Sequence, residues 1–198
     1  MTILVYEFDW PDRVVVGTVG LPGSRTFYLQ ARTGGRTTSV ALEKEQSAIL
    51  AEMIDRLLDE LMTSDDRLTI PAEAPAELLD DEPLEQPVEE DFRAGSMRLG
   101  WDPRTAQLVI EAFPVDEEPS DAAADTDDAA ADTDEADVEP DDDEAEPSEM
   151  LLVRIPVGTA RAFAHRARRV VAAGRPACPD CGMPMDDDGH ECAADAGA

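Results

Sequence analysis

The stretch Arg25-Thr-Phe-Tyr-Leu-Gln-Ala-Arg32-Thr-Gly34-Gly-Arg-Thr-Thr-Ser-Val-Ala-Leu42-Glu-Lys-Glu-Gln-Ser-Ala-Ile-Leu50-Ala-Glu-Met-Ile-Asp-Arg-Leu-Leu-Asp-Glu-Leu61 changes its hydrophobic period midway. In its first part Phe27, Leu29 and Ala31 alternate with Thr26, Tyr28, Gln30 and Arg32, the period of two of a half-buried strand. Gly34-Gly35 is a hairpin signal, and Thr37 to Leu42 supplies the returning strand. From Lys44 the apolar positions Leu50, Met53, Ile54, Leu57 and Leu61 follow helical spacing instead. Glu43 and Glu45 stand where a helix N-terminus favours negative charge. A hairpin followed by a helix is the signature of a sheet with a helix laid on one face.

Working outward, Ile3 to Asp9 and Arg13 to Val19 read as two earlier strands, separated by Trp10-Pro11-Asp12. Gly17-x-x-Gly20-x-x-Gly23 leads into a strand rather than a helix and reads as turn chemistry, not a dinucleotide fingerprint. Residues 1–64 therefore form a ββββα half. Residues 65–91 are acidic and proline-bearing and read as a mobile acidic loop. Phe92 to Trp101 and Ala106 to Phe113 form two more strands about an Asp102-Pro103-Arg104-Thr105 turn. Met150 to Ile155 is a further strand, and Ala160, Phe163, Ala164, Ala167, Val170 and Val171 mark a second helix ended by Gly174 and Pro176. Residues 92–114 plus 149–174 thus make a ββ…βα second half of the same domain. The run 115–148 reads as a disordered acidic insertion and 175–198 as a separate tail. The expected fold is α+β: an antiparallel sheet of about seven strands in two strands-then-helix halves, two helices and a C-terminal zinc knuckle. The order of elements alone suggests an imperfect internal duplication.

The formal charge of -30 is unevenly spread. Residues 116–149 hold 18 acidic side chains, residues 73–91 hold nine and the tail from Cys178 holds six. Removing these 33 from the 46 acids leaves 13 against 16 basic residues, so the body is slightly basic. No segment reaches the ~18 apolar residues of a membrane span, and the N-terminal residues lack a basic, apolar leader. The expected location is cytoplasmic, with no membrane partner.

All three cysteines fall in Cys178-Pro-Asp-Cys181-Gly-Met-Pro-Met-Asp-Asp-Asp-Gly-His190-Glu-Cys192. Cys-x₂-Cys is a knuckle for two Zn(II) ligands, and Gly189 lets the chain return so that His190 and Cys192 complete a tetrahedron. Four protein ligands leave no position for water, so Cys178, Cys181, His190 and Cys192 are read as a structural zinc site.

The same tail resembles the ending of an uncharacterised actinobacterial family, domain of unknown function 3090. Tyr6-Glu7-Phe8-Asp9, Gly23-Ser24-Arg25-Thr26-Phe27-Tyr28-Leu29-Gln30 and Val153-Arg154-Ile155-Pro156 are similar to that family as well. Met185 and Asp187 depart from its pattern without touching the four ligands. The resemblance implies a cytoplasmic protein of unassigned activity, encoded beside phosphatase-like and kinase-like proteins, to one of which it would be an accessory subunit. It carries over no catalytic residues.

Enzyme is the weaker class. The one lysine, Lys44, lies between two glutamates, so there is no phosphate-loop motif. With His190 on zinc, His165 is left among Arg161, Arg166, Arg168 and Arg169, a pattern read as a solvated basic helix face. A zinc-binding, non-catalytic protein-interaction or scaffold protein is the leading reading, its protein partner unidentified. The alternative is single-stranded nucleic-acid binding of the PUR type, with Tyr28, Gln30 and Arg32 on an open sheet face and Arg161, Arg168 and Arg169 on the phosphates. In that reading the insertion would mimic nucleic-acid charge and compete for the helix arginines.

Overall fold

The computed structural model describes residues 3–21, 23–64, 68–115 and 148–173. These form strands β1 (Leu4–Asp9), β2 (Arg13–Val19), β3 (Thr26–Thr33), β4 (Arg36–Leu42), β5 (Phe92–Asp102), β6 (Gln107–Pro114) and β7 (Glu149–Pro156). Helix α1 spans Lys44–Ser64, α2 spans Val157–Ala172, and a single 3₁₀ turn covers Ala76–Leu78. The fold is α+β.

The seven strands run β1-β7-β6-β5-β4-β3-β2. The sheet is mixed rather than antiparallel, because β1 pairs parallel with β7 and β4 pairs parallel with β5. The alternating pattern that identifies each strand is the same for either pairing, so direction is not written in it. A parallel pair needs a long crossover, and α1 with residues 65–91 supplies one between β4 and β5. The two halves also interlock. β1 belongs to the first half in sequence, yet it hydrogen-bonds to the last strand of the second.

The link between β1 and β2 dictates the shape. These are the outermost strands, and only residues 10–12 join them. Four Cα steps reach at most about 14 Å, whereas the edges of a flat seven-stranded sheet lie roughly 29 Å apart. The sheet must therefore roll until its edges approach. Trp10 starts the link in a left-handed conformation, φ 52°. The seam is fastened by Arg36 of β4, which lies 4.3 Å above the Phe8 ring of β1 and donates to the Glu7 carbonyl. Asp12 accepts the Gly34 N–H at 2.7 Å, tying the link to the β3–β4 hairpin.

One face of the rolled sheet and the facing sides of both helices share a single core. Phe27, Leu29 and Ala31 point into it, as their alternation predicts. On α1 the buried positions are Ser47, Leu50, Ala51, Ile54 and Leu58, while Met53 is exposed. The buried stripe is therefore shifted toward Ser47, Ala51 and Leu58, while Leu57 and Leu61 pack partly buried at its margin. On α2, Ala160, Phe163, Ala164 and Ala167 are buried as expected. The expected zinc knuckle at 175–198 and nearly all of the expected disordered insertion at 115–148 lie outside the described residues.

Candidate interaction surface

The pleat puts Tyr28, Gln30 and Arg32 on the face of β3 turned away from the core. Residues 80–91 lie across that face. The segment has no regular structure, and its contacts are made mostly by side chains. Gln30 reads its backbone at two points: the Glu85 N–H donates to Oε1 at 2.8 Å, and Nε2 donates to the Glu85 carbonyl at 3.3 Å. Leu84 is 5% exposed and seats over β2 where Gly17 has no side chain. A Cβ there would lie 2.5 Å from Leu84 Cγ. Gly17 is thus a mid-strand niche, whereas Gly20 and Gly23 carry the positive φ of the turn that all three were expected to form.

Acidic groups of the segment meet basic and polar groups of the body along its length. Asp80 receives two hydrogen bonds from Arg13, at 2.6 and 2.9 Å. Arg166 of α2 donates to the same carboxylate at 2.7 Å, to the Glu82 carbonyl at 2.6 Å and, through Nε, to the Val16 carbonyl on the edge of β2 at 2.9 Å. Glu85 lies between Arg13 and Arg32. Glu90 accepts from the Tyr28 hydroxyl at 3.4 Å. Asp91 closes the row, accepting the Ser39 N–H at 2.8 Å while its own N–H donates to the Ser39 carbonyl. The hydrogen bond from Arg13 holds the Asp80 carboxyl below the ordinary carboxylate range, outweighing the opposing effect of burial, and the charges of Arg13 and Arg166 act in the same direction. Burial, then Glu90, pushes the Tyr28 hydroxyl up.

The arginines of α2 divide: Arg168 and Arg169 stand on an exposed face, as expected, whereas Arg161 and Arg166 are buried. Arg161 is 4% exposed and is held by Asp55, Asp59 and the Pro71 carbonyl. Arg168 also pairs with Asp55, and Arg169 pairs with Asp81. His165 borders the same cleft as Arg161 and Arg168. The structure thus gathers Arg161 and Arg168 on Asp55, and Tyr28, Gln30 and Arg32 beneath residues 85–90. Asp80–Glu82 stand between the two groups.

Arg13, Gly17, Leu84, Asp80 and Arg166 were not singled out by sequence reasoning as members of one site. A weak signal existed: Asp80 to Asp91 interrupts its acids with one leucine and two prolines, a spacing suited to an extended ligand rather than a bare solubilising run. The four expected zinc ligands Cys178, Cys181, His190 and Cys192 lie outside the described residues. Among the described residues no group of three His, Cys, Asp or Glu is placed to hold a metal, and no helix is long and apolar enough to cross a membrane.

A family model described as a protein of unknown function (DUF3090) matches residues 6–192. None of the curated proteins and none of the solved structures compared with the chain matches it.

Proposed function

Because the chain belongs to the DUF3090 family of unknown function, we propose that it is a non-catalytic interaction or scaffold protein carrying one structural zinc ion. The donor chemistry of Cys178, Cys181, His190 and Cys192 carries the zinc assignment: three thiolates and an imidazole within fifteen residues suit a closed tetrahedral Zn(II) site. Bound there, the metal supplies rigidity to a tail that is otherwise short, polar and acidic. The interaction reading is supported by how the body spends its cations. Arg13, Arg161, Arg166, Arg168 and Arg169 are all engaged by carboxylates, an arrangement that builds a surface rather than a reaction centre.

The full-length protein, purified without added metal and gel-filtered in a mild chelator, should retain about one equivalent of zinc. Less than about half an equivalent would count decisively against the zinc assignment. Affinity capture from the native cell extract, with metal analysis of the same sample, would then identify the partner. Single-strand binding through Tyr28, Gln30, Arg32, Arg161, Arg168 and Arg169 is the competing reading, and it requires those groups to leave their present partners. Salt-dependent retention of oligonucleotides, lost on changing Tyr28 and Arg32, would favour it.

A further inference from the structure

The contact between residues 80–91 and the β2–β3–β4 face has the anatomy of a peptide in a groove. The buried groups belong to the body: Val15, Gln30, Ser39 and Arg166 are each less than a tenth exposed. Within residues 80–91 Leu84 is the one buried side chain, and most of the others are exposed. A segment that formed part of the core would bury several. Here a single apolar anchor fills a niche, one glutamine side chain pairs with the backbone N–H and C=O of one residue, Glu85, and guanidiniums flank it to receive acids.

The segment is held by one apolar anchor, the Gln30 pairing and ion pairs, with no strand ladder or helix of its own. It should therefore open more readily than the strands beneath it, as low-contact elements do. Opening leaves a preformed basic face with Arg13, Arg32 and Arg166 around the Gly17 niche.

We infer that this face is a docking groove for an extended acidic, leucine-bearing segment of a partner protein, and that residues 80–91 occupy it in cis as an internal competitor. The inference rests on the interaction-protein reading above and names the chemistry of the partner. Two features favour a peptide over a nucleic-acid strand. The paired Gln30–Glu85 hydrogen bonds match an amide N–H and C=O, and the Gly17 niche takes an aliphatic side chain rather than a base. Charge complementarity is common to both.

The test uses the full-length zinc-loaded chain and a labelled synthetic peptide with the sequence of residues 79–91. In the variant Leu84→Ala/Glu85→Ala the internal segment is weakened, so the peptide should bind at least about tenfold more tightly than to the unaltered protein. Adding Gly17→Ala or Gln30→Ala should abolish that gain. A folded double variant that binds the peptide no better overturns the proposal. So does a variant that prefers an oligodeoxythymidylate of equal charge, which would make the groove a reader of polyanions. Hydrogen exchange on the unaltered protein decides independently of how the variant folds. The Glu85 amide should exchange orders of magnitude faster than the amides of β3, and exchange only through global unfolding would overturn the idea. Zinc content, measured on the same samples, separates failure of the groove from failure of the zinc assignment.

Discussion

Arg166 Nη1 lies 2.7 Å from Asp80 Oδ1, joining the last helix to a segment with no regular structure. The same guanidinium caps the outer edge of β2 through the Val16 carbonyl. One side chain therefore covers a strand edge, anchors a helix and holds the start of the docked segment.

Replacing Arg166 by Met should lower the unfolding free energy by about 2–4 kcal/mol. The change strands the buried Val16 carbonyl and the part-buried Asp80 carbonyl, and leaves Arg13 as the cation on the Asp80 carboxylate. Arg166→Lys should recover only part of the loss, because an ammonium keeps the charge and loses the fork. Urea denaturation measures both. An unchanged midpoint for the Met variant would refute this account of the contact.

Asp80 makes stability depend on acid. Its folded pKa lies below the unfolded value near 4. The stabilisation it gives is complete above about pH 4 and is lost as pH falls through the lower folded pKa. Thermal unfolding of the unaltered protein and Asp80→Asn should therefore differ at neutral pH and converge under acid. A gap that persists at the lowest pH at which both fold would contradict the assignment.

Gly17→Ala should cost about 1–3 kcal/mol, since the new methyl enters space held by Leu84. The cost should shrink when Leu84 is also Ala, giving a coupling of about 0.5–3 kcal/mol in a double-mutant cycle. Additive effects would show that the niche and the leucine are independent.

Cys181→Ser should release zinc, weakening its retention by more than the roughly 10–100-fold that a supporting group costs. Competition with a chromophoric chelator follows this directly. Retention equal to the unaltered protein would remove Cys181 from the ligand set.

The strands and helices were legible because each carries its own period. Phe27, Leu29 and Ala31 identify β3 and its inner face, and the switch at Lys44 marks the start of α1. Which strands run parallel was not legible, since Val40 beside Phe92 and Phe8 beside Val153 look locally like any apolar pair. Nor was the covering of the outer face. Tyr28, Gln30 and Arg32 alternate as solvent-facing residues do, and the segment that meets them is polar and proline-bearing. A contact made by a two-point amide pairing, a missing side chain and ion pairs leaves no hydrophobic period to read. Arg161 and Arg166 mislead for a related reason: a buried arginine looks like an exposed one until its carboxylate partners are in view.

The pairing of β1 with β7 also has a consequence for the order of events during synthesis. Leu4 must wait for Glu149, so β1 leaves the ribosome long before β7, the strand that pairs with it. At roughly 5–20 residues per second the delay is about 7–30 s. Throughout that interval the backbone groups of β1 that β7 will satisfy are open to any passing strand edge. The roll of the sheet is then a long-range closure that cannot be completed until β7 has been made.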